Sequence, residues 1–294
     1  MKLKEKFKIL TYNVGIIKKD IARVLKDDKN DIIWLKHDYK DRFFADPFLI
    51  KQDDDFYYLL VEEYPFKTEK GVISLLKVEK KEFRLIDKQV VIEEPYHLSF
   101  PFCEENGNTI IPESVAANET YVYTFDLNTM KVVGKKKLLD VGLIDGVYYK
   151  DYLFASKKVN PKLDLYSFKM IKGAYRECNN GKPVISSIVF SRSAGRFFEC
   201  NGVTYRPTQD CEERYGKRVQ ITKVEEIKNG CLSFTSCKAI DSSQYPPYDE
   251  TMHTFNVYDG FVIVDGSKDF VRFPMKAFYK LQKKFSHKRK GKNE

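Results

Sequence analysis

The chain of 294 residues carries 51 Lys and Arg against 42 Asp and Glu, a formal net charge of +9, with 43% hydrophobic and 14% aromatic residues. That apolar content excludes a disordered chain and suffices for a large core, at a length where all-β propellers and barrels form one domain. Eight basic residues and the single acid Glu294 lie from Lys276 onward, leaving only +2 for residues 1–275, so the body lacks the charge expected of a nucleic-acid binder.

No segment approaches the roughly 20 apolar residues that span a bilayer. The opening MKLKEKFKILTYNVG has no apolar core of signal-peptide length, so a cytoplasmic protein is expected. In that compartment the six cysteines are expected to remain thiols. They contain no C-x-x-C pair, and no metal site is expected. Near the N-terminus, Phe7–Thr11 has strand character, and Lys18–Asp28 suits a short helix before Ile32-Ile33-Trp34-Leu35.

From there one unit recurs five times: an apolar strand, a turn of Asp, Asn or Gly, and a second apolar strand. The copies open at Ala45, Ser99, Asp140, Arg196 and Met252, about 40 to 57 residues apart. Their turns fall at Asp53-Asp54-Asp55, Asn106-Gly107-Asn108, Asp145-Gly146, Asn201-Gly202 and Asp259-Gly260. Third strands follow at Val72–Val78, Tyr121–Phe125 and Leu163–Phe168, and a fourth at Lys88–Ile92. The period suits four-stranded blades, so the fold class is all-β, a five-bladed β-propeller over residues 1–280 with a basic, disordered tail at 281–294. A β-solenoid or a pair of sandwiches is the rival architecture. A propeller must close its ring, and the N-terminal strand is the candidate to complete the fifth blade.

Inner strands of a propeller line its axis, so polar residues near their openings converge. Asp46 and Asp140 open the first and third units, while Glu63 and Glu113 end second strands in the first two. Converging carboxylates suit glycoside hydrolysis, which needs one protonated and one ionised group. Arg206, Gln209 and Asp210 could hold sugar hydroxyls or a phosphate, or tie one blade to the next. His97 and His253 open inner strands, as funnel-facing or structural histidines. Tyr215 could stack on a sugar face or belong to the core. Walker, G-x-G-x-x-G, G-x-S-x-G and H-E-x-x-H patterns are missing, and no cofactor is implied.

Phe44-Ala45-Asp46-Pro47-Phe48, Glu94-Pro95-Tyr96-His97-Leu98-Ser99-Phe100-Pro101-Phe102, Ile111-Pro112-Glu113-Ser114 and Tyr205-Arg206-Pro207-Thr208-Gln209-Asp210-Cys211, with Tyr215-Gly216, occur in that order. Together they resemble the N-terminal propeller domain of glucosamine inositolphosphorylceramide transferases and related bacterial polysaccharide-biosynthesis proteins, over roughly residues 40–266. That domain is similar in fold to arabinanase, levansucrase and invertase-type glycosidases, family 43 included. The resemblance implies that Asp46 stands where such enzymes keep a general base. Glu113 becomes the candidate acid, and Asp140 a modulator of its pKa or a substrate anchor.

The expected function is therefore carbohydrate-active: hydrolysis or transfer of glycosidic bonds in surface-polysaccharide metabolism, by catalytic Asp46, Glu113 and Asp140. Glu63, His97, Arg206, Gln209, Asp210, Tyr215 and His253 are the expected substrate-binding residues. The alternative is a non-catalytic propeller that binds a glycan or partner. A scaffold held at an inner membrane face is a third reading. The expected partner is a glycan or sugar-containing small molecule, not nucleic acid, with weak contact of the basic tail to anionic membrane. A monomer is expected.

Overall fold

In the computed structural model, residues 8–271 are described, apart from 106, 160, 161 and 173. They form five antiparallel sheets arranged as a propeller, each blade running from an inner strand to an outer one. Blade 1 comprises Arg42–Gln52, Phe56–Pro65, Val72–Glu79 and Arg84–Ile92. Blade 2 comprises Ser99–Cys103, Thr109–Glu113, Thr120–Asp126 and Lys131–Leu139. Blade 3 comprises Ile144–Tyr149, Tyr152–Val159, Lys162–Ile171 and Ala174–Glu177, with Ile185–Ser186 also paired to its third strand. Blade 4 comprises Phe198–Cys200, Val203–Asp210, Arg218–Lys228 and Cys231–Asp241.

Blade 5 closes the ring. Its inner strands, Phe255–Tyr258 and Phe261–Val271, come from the end of the described chain, and its outer strands, Lys8–Ile17 and Ile33–Trp34, from the start. Ten residue pairs, Lys8↔Val271 through Ile17↔Val262, join the two ends. A short helix, Ile21–Lys26, capped by Asp20, links the two N-terminal strands. The expected basic tail at 281–294 lies outside the described residues.

Burial explains the layering. The inner strand Arg42–Gln52 is buried over seven consecutive residues, whereas the outer strand Arg84–Ile92 alternates toward solvent. Inner strands have a blade on each face and so read as continuous apolar runs. The core is accordingly a set of layers between blades. One holds Phe48, Phe100, Phe102 and Phe154, a second Phe44, Tyr57 and Phe261, a third Val219, Phe255 and Val264. No helix among the described residues is long and apolar enough to cross a membrane.

Three inner strands share a backbone device. Asp46, Phe100 and Asp145 have positive φ (51°, 41° and 49°), each directly before Pro47, Pro101 or Gly146. The strand register shifts at the same places, between Ala45 and Phe48, Ser99 and Phe102, and Ile144 and Val147. These are bulges, which re-aim a side chain within a sheet. Asp145-Gly146 is therefore a bulge within the inner strand of blade 3 and not the expected hairpin turn, which falls at Lys150-Asp151. The structural counterpart of Asp46 is thus Asp145, and not Asp140.

Candidate axial carboxylate site

The bulges carry a polar belt around the axis. Asp265, on the second strand of blade 5, accepts from the Asp46 backbone N–H (3.2 Å) and from the N–H groups of His253 and Thr254 (3.0 Å each). Asp46 in turn accepts from the Phe100 N–H (3.0 Å) and the Thr254 hydroxyl (3.1 Å). Asn256 extends the belt, accepting from the Arg196 N–H (2.9 Å) and donating to the Pro47 carbonyl (2.9 Å). Blades 5, 1, 2 and 4 are thereby joined at the bulges themselves.

His253 lies inside this belt, its Nδ1 2.6 Å from Asp265 and 3.5 Å from Asp46. Tyr12, on the strand that closes the ring, stacks on the imidazole at 4.7 Å. Burial opposes the His253 charge, but Asp265 and Asp46 outweigh it and push the pKa up to about 9. Burial also acts against an ionised Asp265, yet His253 and the backbone N–H donors hold its pKa below the ordinary value. Asp46 is raised to about 6 by burial, with His253 acting the other way and Asp265 and Asp145 adding to the rise. Asp46, His253 and Asp265 bring one potential ligand atom each within 4.8 Å of one another. Those donors are spent on each other as a protonated histidine between two acids, which makes a clasp.

Beside the clasp lies a second acidic group. Glu113, ending the second strand of blade 2, has its pKa pushed up to about 8 by burial, then by Asp145, with Arg192 opposing and Asp46 adding. Arg192 Nε donates to Asp145 Oδ2 (2.6 Å), and its Nη2 lies 3.9 Å from Glu113. Gln209 Nε2 also donates to Asp145 (3.1 Å) and to the Ser193 carbonyl (2.8 Å). The Gln209 Oε1 is buried without a hydrogen-bond partner among the described residues. Tyr215 covers this group, its ring 4.8 Å from the Arg192 guanidinium and 5.4 Å from His253, while remaining 45% exposed. An aromatic face open to solvent above a charged floor is a surface on which a sugar ring can stack.

The expected residues separate accordingly. Asp46, Glu113, Gln209, Tyr215 and His253 come together here. Asp140 does not: its side chain is 83% exposed and pairs with Lys137 three residues earlier (2.5 Å). The modulating position expected for Asp140 is filled by Asp145, which raises Glu113 directly. Glu63 belongs to an ion-pair group within blade 1, bonded to Arg42, Lys88 (3.0 Å) and Ser74 (2.6 Å). Arg206 donates to the Phe190 and Ser191 carbonyls and to Ser193 Oγ, its burial lowering its pKa to about 9. It therefore anchors the connection into blade 4. Asp210 caps Glu212 N–H (3.0 Å) and accepts from Gln220 (3.2 Å), which is a local role. His97 faces Glu62, its Nε2 3.5 Å from Glu62 Oε1.

Sequence reasoning missed Glu62, Asp145, Arg192 and Asp265. Asp145 is visible as an Asp-Gly pair but reads as turn chemistry, and Asp265 ends the second apolar strand of the fifth unit, where nothing local marks it out. Arg192 has no local signal, since it reaches Asp145 across 47 residues.

Residues 34–238 match the family model described as glucosamine inositolphosphorylceramide transferase 1, N-terminal. The chain belongs to this family. The match takes in blades 1 to 3 and most of blade 4, and with them Asp46, Glu62, Glu113, Asp145, Arg192, Gln209 and Tyr215; His253 and Asp265 lie beyond it. A curated relative, glucosamine inositolphosphorylceramide transferase 1 of Arabidopsis thaliana, is 32% identical over 202 residues, covering 63% of this chain and 26% of the relative. The protein of the same name from Oryza sativa subsp. japonica is 29% identical over 206 residues, covering 64% and 27%. The chain thus spans about a quarter of the length of those relatives. Among solved structures, the one titled "Crystal structure of Nidogen/Laminin Complex" aligns with TM-score 0.47 at 10% identity, covering 84% of this chain and 82% of that one.

Proposed function

We propose that this propeller is a carbohydrate-active protein whose axial site receives a sugar-containing ligand and acts on its glycosidic bond, in surface-polysaccharide or glycolipid metabolism. The observation that carries this reading is Glu113, a mostly shielded carboxyl group with a pKa near 8, raised by Asp145 and Asp46 and 3.9 Å from Arg192, whose guanidinium lies against the half-exposed ring of Tyr215. At neutral pH such a group holds its proton and can give it to a leaving oxygen. Asp46, with a pKa near 6, is mostly ionised under the same conditions and can accept a proton or stabilise positive charge at the sugar carbon. Arg192 and Gln209 hold Asp145 against Glu113, which preserves the acid's elevated pKa. The name of the plant relatives, which contains both glucosamine and inositolphosphoryl, supports a sugar ligand.

A second reading, binding without turnover, has its own support. The Asp46 oxygens already accept from the Phe100 N–H and the Thr254 hydroxyl and lie 3.5 Å from His253 Nδ1, which suits a structural carboxylate better than a free base. The relatives' greater length leaves room for chemistry elsewhere in those proteins.

One experiment separates the two. The purified chain, Glu113→Gln and Asp46→Asn are incubated with a glycan and aryl-glycoside panel, following reducing ends and aglycone release. Turnover by wild type that falls at least about a hundredfold in Glu113→Gln supports acid catalysis. Saturable binding with no turnover by any variant supports the binding module. Neither binding nor turnover refutes both.

A further inference from the structure

The second strand of blade 1 ends in two consecutive glutamates, Glu62 and Glu63. Neighbouring residues of a strand point to opposite faces, so the two cannot share a role. Glu63 is consumed by Arg42, Lys88 and Ser74. Glu62 pairs differently: the basic side chain within ion-pair distance of it among the described residues is His97, at 3.5 Å.

The local geometry is built around that approach. The Gly71 N–H donates to His97 Nδ1 (2.9 Å). An imidazole nitrogen that accepts carries no proton, so neutral His97 must hold its hydrogen on Nε2, the atom that faces Glu62. Burial lowers the His97 pKa and favours that neutral form. Gly71 also leaves the space: a Cβ there would sit 2.4 Å from the Leu98 carbonyl oxygen, 2.8 Å from Glu62 Oε1 and 2.8 Å from His97 Cε1. The carboxyl so placed borders the axial group, because Glu62 pairs across the sheet with Ala45, the residue directly before Asp46. Burial, then Asp46, Glu113 and Asp265, hold it well above the ordinary glutamate range.

We propose that Glu62 is a further ligand-contacting residue of the axial site, offering its carboxyl group to a hydroxyl or ring oxygen of the sugar bound beside Glu113, with His97 as its positioning residue. The inference rests on the sugar-binding reading above. It adds a polar contact on the blade 1 side of the axis, facing the Arg192 and Gln209 side of blades 3 and 4. The ligand class is a neutral or phosphorylated sugar with hydroxyls on both edges.

The test is binding of glucosamine, N-acetylglucosamine and inositol phosphate to the full chain, by ligand-observed NMR and calorimetry at neutral pH. Glu62→Ala should weaken the best of these by about five- to tenfold, the loss of one hydrogen bond. Glu62→Gln, which keeps a donor and an acceptor, should stay within about twofold of wild type. His97→Ala should weaken binding and His97→Gln restore most of it, a rescue that a purely structural role would not give. Thermal unfolding of each variant identifies any that fails to fold, and Glu62→Gln, nearly isosteric, serves where Glu62→Ala does. If wild type binds and Glu113→Gln weakens binding while folded Glu62→Ala binds as wild type does, this inference falls and the axial reading stands. If wild type binds none of the probes, the axial reading falls and the inference with it.

Discussion

Asp265→Asn is the substitution that most severely tests the polar belt. Asp265 accepts from the N–H groups of Asp46, His253 and Thr254, from the Thr254 hydroxyl at 2.9 Å, and pairs with His253 Nδ1. The amide is nearly isosteric, so packing is kept while the charge is removed. His253 is raised from 6.5 to about 9 in the fold, which corresponds to about 3 kcal/mol of differential interaction. A group raised above its unfolded value contributes stability that is fully present below pH 6.5 and is lost as the pH climbs to about 9. Asp46, raised to about 6, works in the same direction at lower pH. Asp265 is depressed instead, and its contribution is lost only on acidification below its ordinary 3.8. Breaking a buried pair by removing one partner costs about 3–5 kcal/mol, which at about 2 °C per kcal/mol lowers Tm by about 6–10 °C. Thermal and urea unfolding, followed by circular dichroism from pH 6 to 9, would show wild type losing stability with rising pH and Asp265→Asn losing less, its remaining slope coming from the raised carboxyl groups of Glu113 and Glu62. A variant within about 1 kcal/mol of wild type, with an unchanged pH slope, would refute the clasp.

Other substitutions probe the remaining groups. Asp140→Asn should change stability by less than about 0.5 kcal/mol and leave ligand binding untouched, measured by urea titration and calorimetry. Asp145→Asn should instead lower the Glu113 pKa from about 8, since it removes the neighbouring negative charge that follows burial among its causes; a carboxyl-carbon NMR titration reads this directly. Arg206→Leu should cost about 3 kcal/mol or more in urea unfolding by stranding the Phe190 and Ser191 carbonyls, whereas sugar affinity of the folded fraction should not change. Gly71→Ala should destabilise by about 1–3 kcal/mol, because its methyl group would press first on the Leu98 carbonyl oxygen and then on Glu62 and His97.

Much of the fold was legible because a propeller repeats itself. Hairpins at Asn201-Gly202 and Asp259-Gly260 stand where the turn residues indicate, and Lys8–Ile17 completes blade 5 as ring closure demands. The third hairpin was misplaced for a physical reason. Asp-Gly is a strong two-residue turn signal, but it also suits the positive φ of a bulge. Local sequence does not distinguish the two uses, and the choice transferred a site role from Asp145 to Asp140. Likewise Glu62 and Glu63 are equivalent in composition and differ only in the face they occupy. A bulge between Ala45 and Phe48 in the neighbouring strand sets which one meets the axis. Asp46 and Glu113 were legible because they sit at a strand opening and a strand end of the repeat unit, within segments that resemble the family's in order along the chain. Arg192 and Asp265 act through contacts that join distant segments, which only the closed ring brings together.

The central claim is that the axial carboxylates form a sugar site. Residue-resolved NMR of the isotopically labelled chain, titrated with N-acetylglucosamine and inositol phosphate, tests it most directly. A sugar bound at the axis gives saturable shifts concentrated at Glu62, Glu113, Arg192, Gln209 and Tyr215. Shifts centred elsewhere, such as the outer cleft lined by Asn179, Asn180, Glu226 and Cys231, or no shifts at all, would contradict it.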